Sequence, residues 1–140
     1  MTASESDDPA WTKSPPSAYD IVSCWYPETD DASEPGTKLR PALVTAVLQG
    51  QTTGAYACRV AYGTKTLNII KRQTVDLIIQ RPHFVGLPRP TRFDLDHILL
   101  LPWQRPFFGC WRGYSSPKVG ALTEEFIREY AFLMMKRLSV

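Results

Sequence analysis

The sequence predicts a mainly β domain that ends in a single helix, an α+β arrangement with the strands first and the helix last. Three stretches predict it. Ala42 to Leu48 is an almost unbroken apolar run with β-branched Val and Thr, which reads as a strand buried on both faces. Gln49-Gly-Gln-Thr-Thr-Gly54 follows as a hairpin turn, and Ala55 to Tyr62 beyond it is rich in strand formers. From Thr123 onward, Phe126, Ile127, Tyr130, Ala131, Met134 and Leu138 make one apolar stripe at helical spacing. Thr123 suits the N-cap, Glu124 and Glu125 sit at the positive end of the helix dipole, and Lys136 and Arg137 at the negative end.

The other elements follow in order. Residues 1–17 are polar, carry Pro9, Pro15 and Pro16, and are expected to form a disordered acidic leader, with residues 18–140 as one domain. Ala18 to Tyr26 is a strand ended by Pro27. Glu28 to Lys38 holds four acids with Pro35 and Gly36, and is expected as a mobile loop. Val75–Ile79 and Phe93–Leu101 are further strands, the second stopped by Pro102; Arg81 to Pro90 is a loop, and residues 102–120 are irregular.

Length and composition set the class. A chain of 140 residues with 44% hydrophobic and 21% charged residues is long enough for one real core. No apolar run approaches the ~20 residues of a membrane span, and the first residues carry no secretory signal pattern. Cys24, Cys58 and Cys110 are odd in number and widely spaced, which argues against a disulfide framework and a structural zinc site. These features point to a cytoplasmic protein with no membrane association.

The net charge of +2 hides an asymmetry. Residues 1–36 hold eight acids and one base, so residues 37–140 hold 15 bases and six acids, a net of +9. A basic body suggests an anionic partner, nucleic acid among them; the plainer reading is surface solubility.

Arg40-Pro41 gives that charge a location. Proline fixes its own φ and pushes Arg40 into an extended conformation, so a permanent cation stands at the mouth of the apolar strand. The third strand ends in Gly63-Thr64-Lys65, where glycine allows a sharp turn. A tight hairpin makes the two strands antiparallel, which brings Arg40 close to Thr64 and Lys65, with Lys38 nearby. A guanidinium, a hydroxyl and ammonium groups at one place suit a phosphate.

Other chemistries lack their residues. There is no phosphate-cradling glycine loop and no nucleophile elbow, and His83 and His97 are too few for a histidine metal site. No metal or cofactor is expected, and both histidines read as ordinary surface or loop residues. Trp103 and Trp111 can stack bases or pack in a core or dimer.

Asp20-Ile-Val with its following aromatics, the acidic loop, and Arg40-Pro-Ala-Leu-Val together resemble the PemK/MazF family of toxins. Val60-Ala-Tyr-Gly-Thr64-Lys and Lys118-Val-Gly-Ala-Leu-Thr before a helix are similar to later landmarks of that family. The resemblance spans residues 18–138. It implies a small, partly open antiparallel β-barrel, Src-homology-3-like, with a C-terminal helix and usually dimeric. It also implies a type II toxin–antitoxin system: a metal-independent endoribonuclease cleaving single-stranded mRNA, inhibiting growth and neutralised by a cognate antitoxin. By match, Arg40 and Thr64 are the catalytic pair. Asp96 is the counterpart of a base on a later strand, and Asp94 stands where PemK-like members carry an Arg. Lys38, Arg59, Lys65, Lys71 and Arg72 are the candidate RNA-binding cations. A homodimer is expected from the resemblance and from the aromatic-rich segment 102–114. The alternative is a non-catalytic nucleic-acid-binding or regulatory module on the same fold. Both need the basic face; only the nuclease needs Arg40 and Thr64 specifically.

Overall fold

The computed structural model describes residues 9–29, 31–67 and 75–138. Among these residues six strands, β1 (Asp20–Trp25), β2 (Leu39–Gln49), β3 (Tyr56–Thr64), β4 (Asp76–Ile79), β5 (Thr91–Pro102) and β6 (Lys118–Ala121), precede helix α1 (Glu124–Leu138). They form one sheet in the order β4-β5-β3-β2-β1-β6, antiparallel throughout. The sheet curls into a half-barrel: Leu77 and Ile79 on one edge strand share an apolar cluster with Val119 on the other. A 3-10 turn, Pro82–Val85, bridges the edges, and Gly120 has no room for a Cβ against the Val85 carbonyl oxygen. Among the described residues no helix is long and apolar enough to cross a membrane.

Strand alternation divides the core into two clusters, one on each face. Val22, Cys24, Ala42, Val44, Cys58 and Val60 point to a face covered by Trp103, Phe107 and Phe108. Ile21, Leu43, Ala61, Phe93 and Leu95 point to the other, where α1 packs with Phe126, Ile127, Tyr130, Leu133 and Met134. Ala131 and Leu138, expected in that stripe, are exposed, Leu138 at 77%; Leu133 takes their place.

The apolar run of β2 is buried on both faces only from Ala42 to Val44, while Leu48 is 42% exposed. The reason is pairing: β1 reaches β2 only along Leu39–Leu43, the Tyr19 N–H donates to the Val44 carbonyl, and β2 beyond Val44 borders β3 alone. A bulge at Thr45 marks the change. The strand also begins two residues before Pro41, with Pro41 opposite Ser23.

Two further expectations are corrected. The leader is packed from its later part onward: Ala10–Lys13 forms a 3-10 turn, Trp11 is buried, and the Trp103 indole N–H donates to the Trp11 carbonyl at 2.9 Å. Residues 1–8 lie outside the described residues. The segment 102–120, read as irregular, contributes edge strand β6 and three buried aromatics, Trp103, Phe107 and Phe108. Its apolar character therefore serves this chain's own core, and the dimer argument drawn from it falls away.

Candidate nucleic-acid interface

The β2–β3 ladder builds the site. Ala42 pairs with Tyr62 and Leu43 with Ala61, and the same register carried two residues further sets Arg40 opposite Thr64. Thr64 in turn pairs with Arg92 of β5, and Arg40 with Cys24 of β1. Gly63 acts here through its small size. It lies inside β3 rather than in a turn, and a Cβ there would collide with the Pro41 carbonyl oxygen and stand 2.9 Å from the Phe93 ring. The two strands approach so closely that only glycine fits, which holds Thr64 against the Arg40-Pro41 backbone.

Arg40 has a built seat. Its guanidinium carbon lies 5.5 Å from the centroid of the Tyr62 ring, a cation–π contact. Tyr62 packs against Tyr26 at 5.3 Å and against His97 at 5.7 Å. The Tyr26 hydroxyl donates to the His97 carbonyl at 2.8 Å, tying the rings to β5. His97, read as an ordinary surface or loop residue, is thus half-buried in a ring cluster under Arg40. Sequence reading missed Tyr26 and Tyr62, which alternation alone marks only as strand formers. Thr64 is buried at 7% exposure, and its Oγ accepts the Thr66 N–H at 3.2 Å, leaving the hydroxyl proton to donate elsewhere.

Arg40, Thr64, Lys38 and Lys65 line one cavity of about 270 Å3, so the expected convergence is present. Arg89, Thr91 and Trp111 line it too, from loops the sequence did not connect to the site. Among the described residues the lining holds four cations and no carboxylate or histidine. Arg92 supports it from β5: its guanidinium bonds Asp76 at 3.0 Å and the Thr66 carbonyl at 3.0 Å, fixing the chain just past Lys65.

Four expected residues fall elsewhere or beyond view. Asp96 is not in the cavity lining. Its carboxylate accepts the Val75 N–H at 2.9 Å and the Arg137 guanidinium at 2.7 Å, so it anchors α1. The cause is a bulge: Ala61 pairs with Ile98 but Tyr62 with Asp94, which leaves residues 95–97 out of the ladder. Arg59 is exposed on the β3 face opposite Thr64, because five positions along a regular strand reverse the side. Lys71 and Arg72 lie outside the described residues.

The acidic loop is internally bonded. Asp31 accepts the Ser33 N–H at 3.0 Å, and the Gly36 N–H donates to the Trp25 carbonyl at 2.9 Å. Glu28 accepts the Thr37 hydroxyl. That hydroxyl, and then the Thr37 N–H, hold the Glu28 carboxyl below the usual carboxylate range, with Lys38 and Arg40 acting in the same direction. Among the described residues Glu28 is thus a loop acid that Lys38 and Arg40 act on.

Cys24 and Cys58 are buried and Cys110 exposed, all as free thiols. Burial pushes the Cys58 thiol up to about 12, and raises Cys24 further. Among the described residues no three His, Cys, Asp or Glu side chains gather in a way that could hold a metal ion. No model of a known protein family matches the chain, and no curated protein matches it.

Proposed function

We propose that this protein is an endoribonuclease toxin of the PemK/MazF kind, on an Src-homology-3-like barrel, that cuts single-stranded mRNA without a metal ion. On this reading it works in the cytoplasm and is restrained by a cognate antitoxin. The supporting observation is the shared cavity of Arg40, Thr64, Lys38 and Lys65 at the open end of the β2–β3 ladder.

The chemistry follows from RNA itself. A ribose 2′-oxygen attacks the adjacent phosphorus and gives its proton to a base. The phosphorus–O5′ bond breaks, the O5′ takes a proton, and the products are a 2′,3′-cyclic phosphate and a 5′-hydroxyl. Arg40 and Lys65 oppose the charge that builds on the phosphorane, and the Thr64 hydroxyl donates to a non-bridging oxygen. Asp96, held by Arg137, and Glu28, held by Thr37, both stand outside the cavity lining and are the two carboxylates to test as the base.

Homodimerisation belongs to the same proposal. The large apolar side chains that α1 leaves exposed, Phe132, Met135 and Leu138, give a surface on which a second copy can close.

A binding module without chemistry is the second reading, favoured by a cavity lining that, among the described residues, has cations but no carboxylate or histidine. Inducing the wild-type chain and Arg40→Ala separately in bacteria distinguishes the two. The nuclease arrests growth and leaves cyclic-phosphate ends in the presence of chelator, and the variant does neither. Intact RNA with folded wild-type protein overturns the nuclease; a strict need for added divalent metal overturns the metal-free mechanism.

A further inference from the structure

The cavity at Arg40 is larger than one phosphate requires, and its two sides differ in chemistry. Lys38, Arg40, Thr64 and Lys65 form one side, from the β2–β3 ladder. Arg89 and Trp111 come from two loops elsewhere in the chain, one after β4 and one after β5. Buried Leu87 lies beside them and makes that side apolar. The volume, about 270 Å3, falls below the ~300–1,000 Å3 of pockets that enclose a whole drug-sized ligand, which fits one unit of a longer chain better than a free cofactor.

We propose that Trp111 is the stacking platform for one base of a single-stranded RNA and Arg89 the clamp on the phosphate next to it, so that this cavity recognises a single nucleotide beside the reacting phosphate. The inference rests on the nuclease reading and adds the residues that select the nucleotide. Trp111 is half-buried against the α1-side cluster and meets Tyr114 edge-on at 5.9 Å, so its ring is held in place before a base arrives. A fixed indole accepts the face of any base, and a guanidinium beside it matches phosphate geometry. Arg89 lies between Pro88 and Pro90, which restrict the backbone that carries it.

The test uses the full chain and a 2′-O-methyl oligonucleotide spanning a cut site mapped with wild-type protein, since a capped 2′-oxygen cannot attack. Bases are removed one position at a time, and affinity is measured across a salt series. In wild type, one abasic position weakens binding by about 5- to 150-fold, the range of a lost base–aromatic stack. In Trp111→Ala that same position costs nothing further, and Trp111→Phe restores the penalty. Arg89→Ala keeps the abasic penalty and lowers the salt slope by about 0.7, one phosphate contact to a single strand. An abasic penalty that is the same with and without the indole, or absent at every position, overturns the inference while cleavage stands. A wild-type protein that neither binds nor cuts RNA overturns the functional reading first. The abasic scan on wild type needs no variant, so a misfolded Trp111→Ala leaves the Trp111→Phe and oligonucleotide arms decisive.

Discussion

The β2–β3 ladder has a cavity at each end, and the two differ in what they could hold. At the turn end, Thr12, Lys13, Thr53, Tyr56 and Trp103 line about 430 Å3 with one cation among the lining residues. At the open end the space is smaller, about 270 Å3, yet four cations and two threonines face it. Volume alone favours the turn end. Charge density favours the open end, because a phosphate in a confined space needs convergent cationic donors more than room. The contrast also separates two uses of loops: near the turn end, Trp11 and Trp103 seal the core, whereas at the open end Arg89 and Trp111 extend a site.

Breaking the open end should have the largest effect. Arg40→Ala is expected to lower RNA cleavage by about 10²–10³-fold with an unchanged circular dichroism spectrum. Lys13→Ala, at the turn end, should leave the rate within about twofold; equal losses from both would erase the distinction. Next in size is the base. Glu28→Gln is expected to cost about 10²-fold in rate at saturating RNA, whereas Asp96→Asn should cost stability instead. The Asp96–Arg137 pair is partly exposed, at 34% and 41% of the side chains, so its loss is worth about 0.5–1 kcal/mol in a denaturant melt. A collapse of rate in Asp96→Asn at unchanged stability would return the base to β5.

Salt dependence sharpens the comparison further. Lys65→Ala should reduce the slope of log affinity against log salt by about 0.7, and Arg59→Ala, on the opposite face of β3, should leave it unchanged. The smallest effect is on pH. Cys58 keeps its proton in the folded state up to about 12 against an ordinary thiol value of 9.0, so between those values the folded chain binds more protons than the unfolded. Stability contributed by Cys58 is complete below pH 9 and falls as pH rises through that window. Cys58→Ala should flatten the decline measured by chemical denaturation at alkaline pH.

The sequence made the open end legible and the rest of the site obscure, for reasons that lie in particular residues. Arg40 and Thr64 could be brought together because a short hairpin turn fixes antiparallel register. The place of Asp96 outside the cavity lining could not be foreseen, because the bulge that removes residues 95–97 from the ladder leaves no pattern in the alternation around it. Trp11 sits among polar residues and finds its partner Trp103 across 92 positions, a contact local pattern cannot show. Strand β6 is four residues long and contains a glycine, so the free edge of β1 specifies it better than its own composition does. Arg89 and Trp111 needed the closure of the half-barrel to meet.

The position of β6 also sets a timetable for synthesis. Its partner β1 is made near the start of the chain, and Lys118 follows Trp25 by 93 positions. At ribosomal rates of about 5–20 residues per second, β1 waits roughly 5–20 seconds with one edge open. Ile21, Val22, Ser23 and Cys24 all end fully buried, so until residue 118 is made the nascent chain carries a core strand with one edge unpaired. A ribosome stalled between the completion of β1 and residue 118 would release a fragment with that edge unpaired, a seed for aggregation.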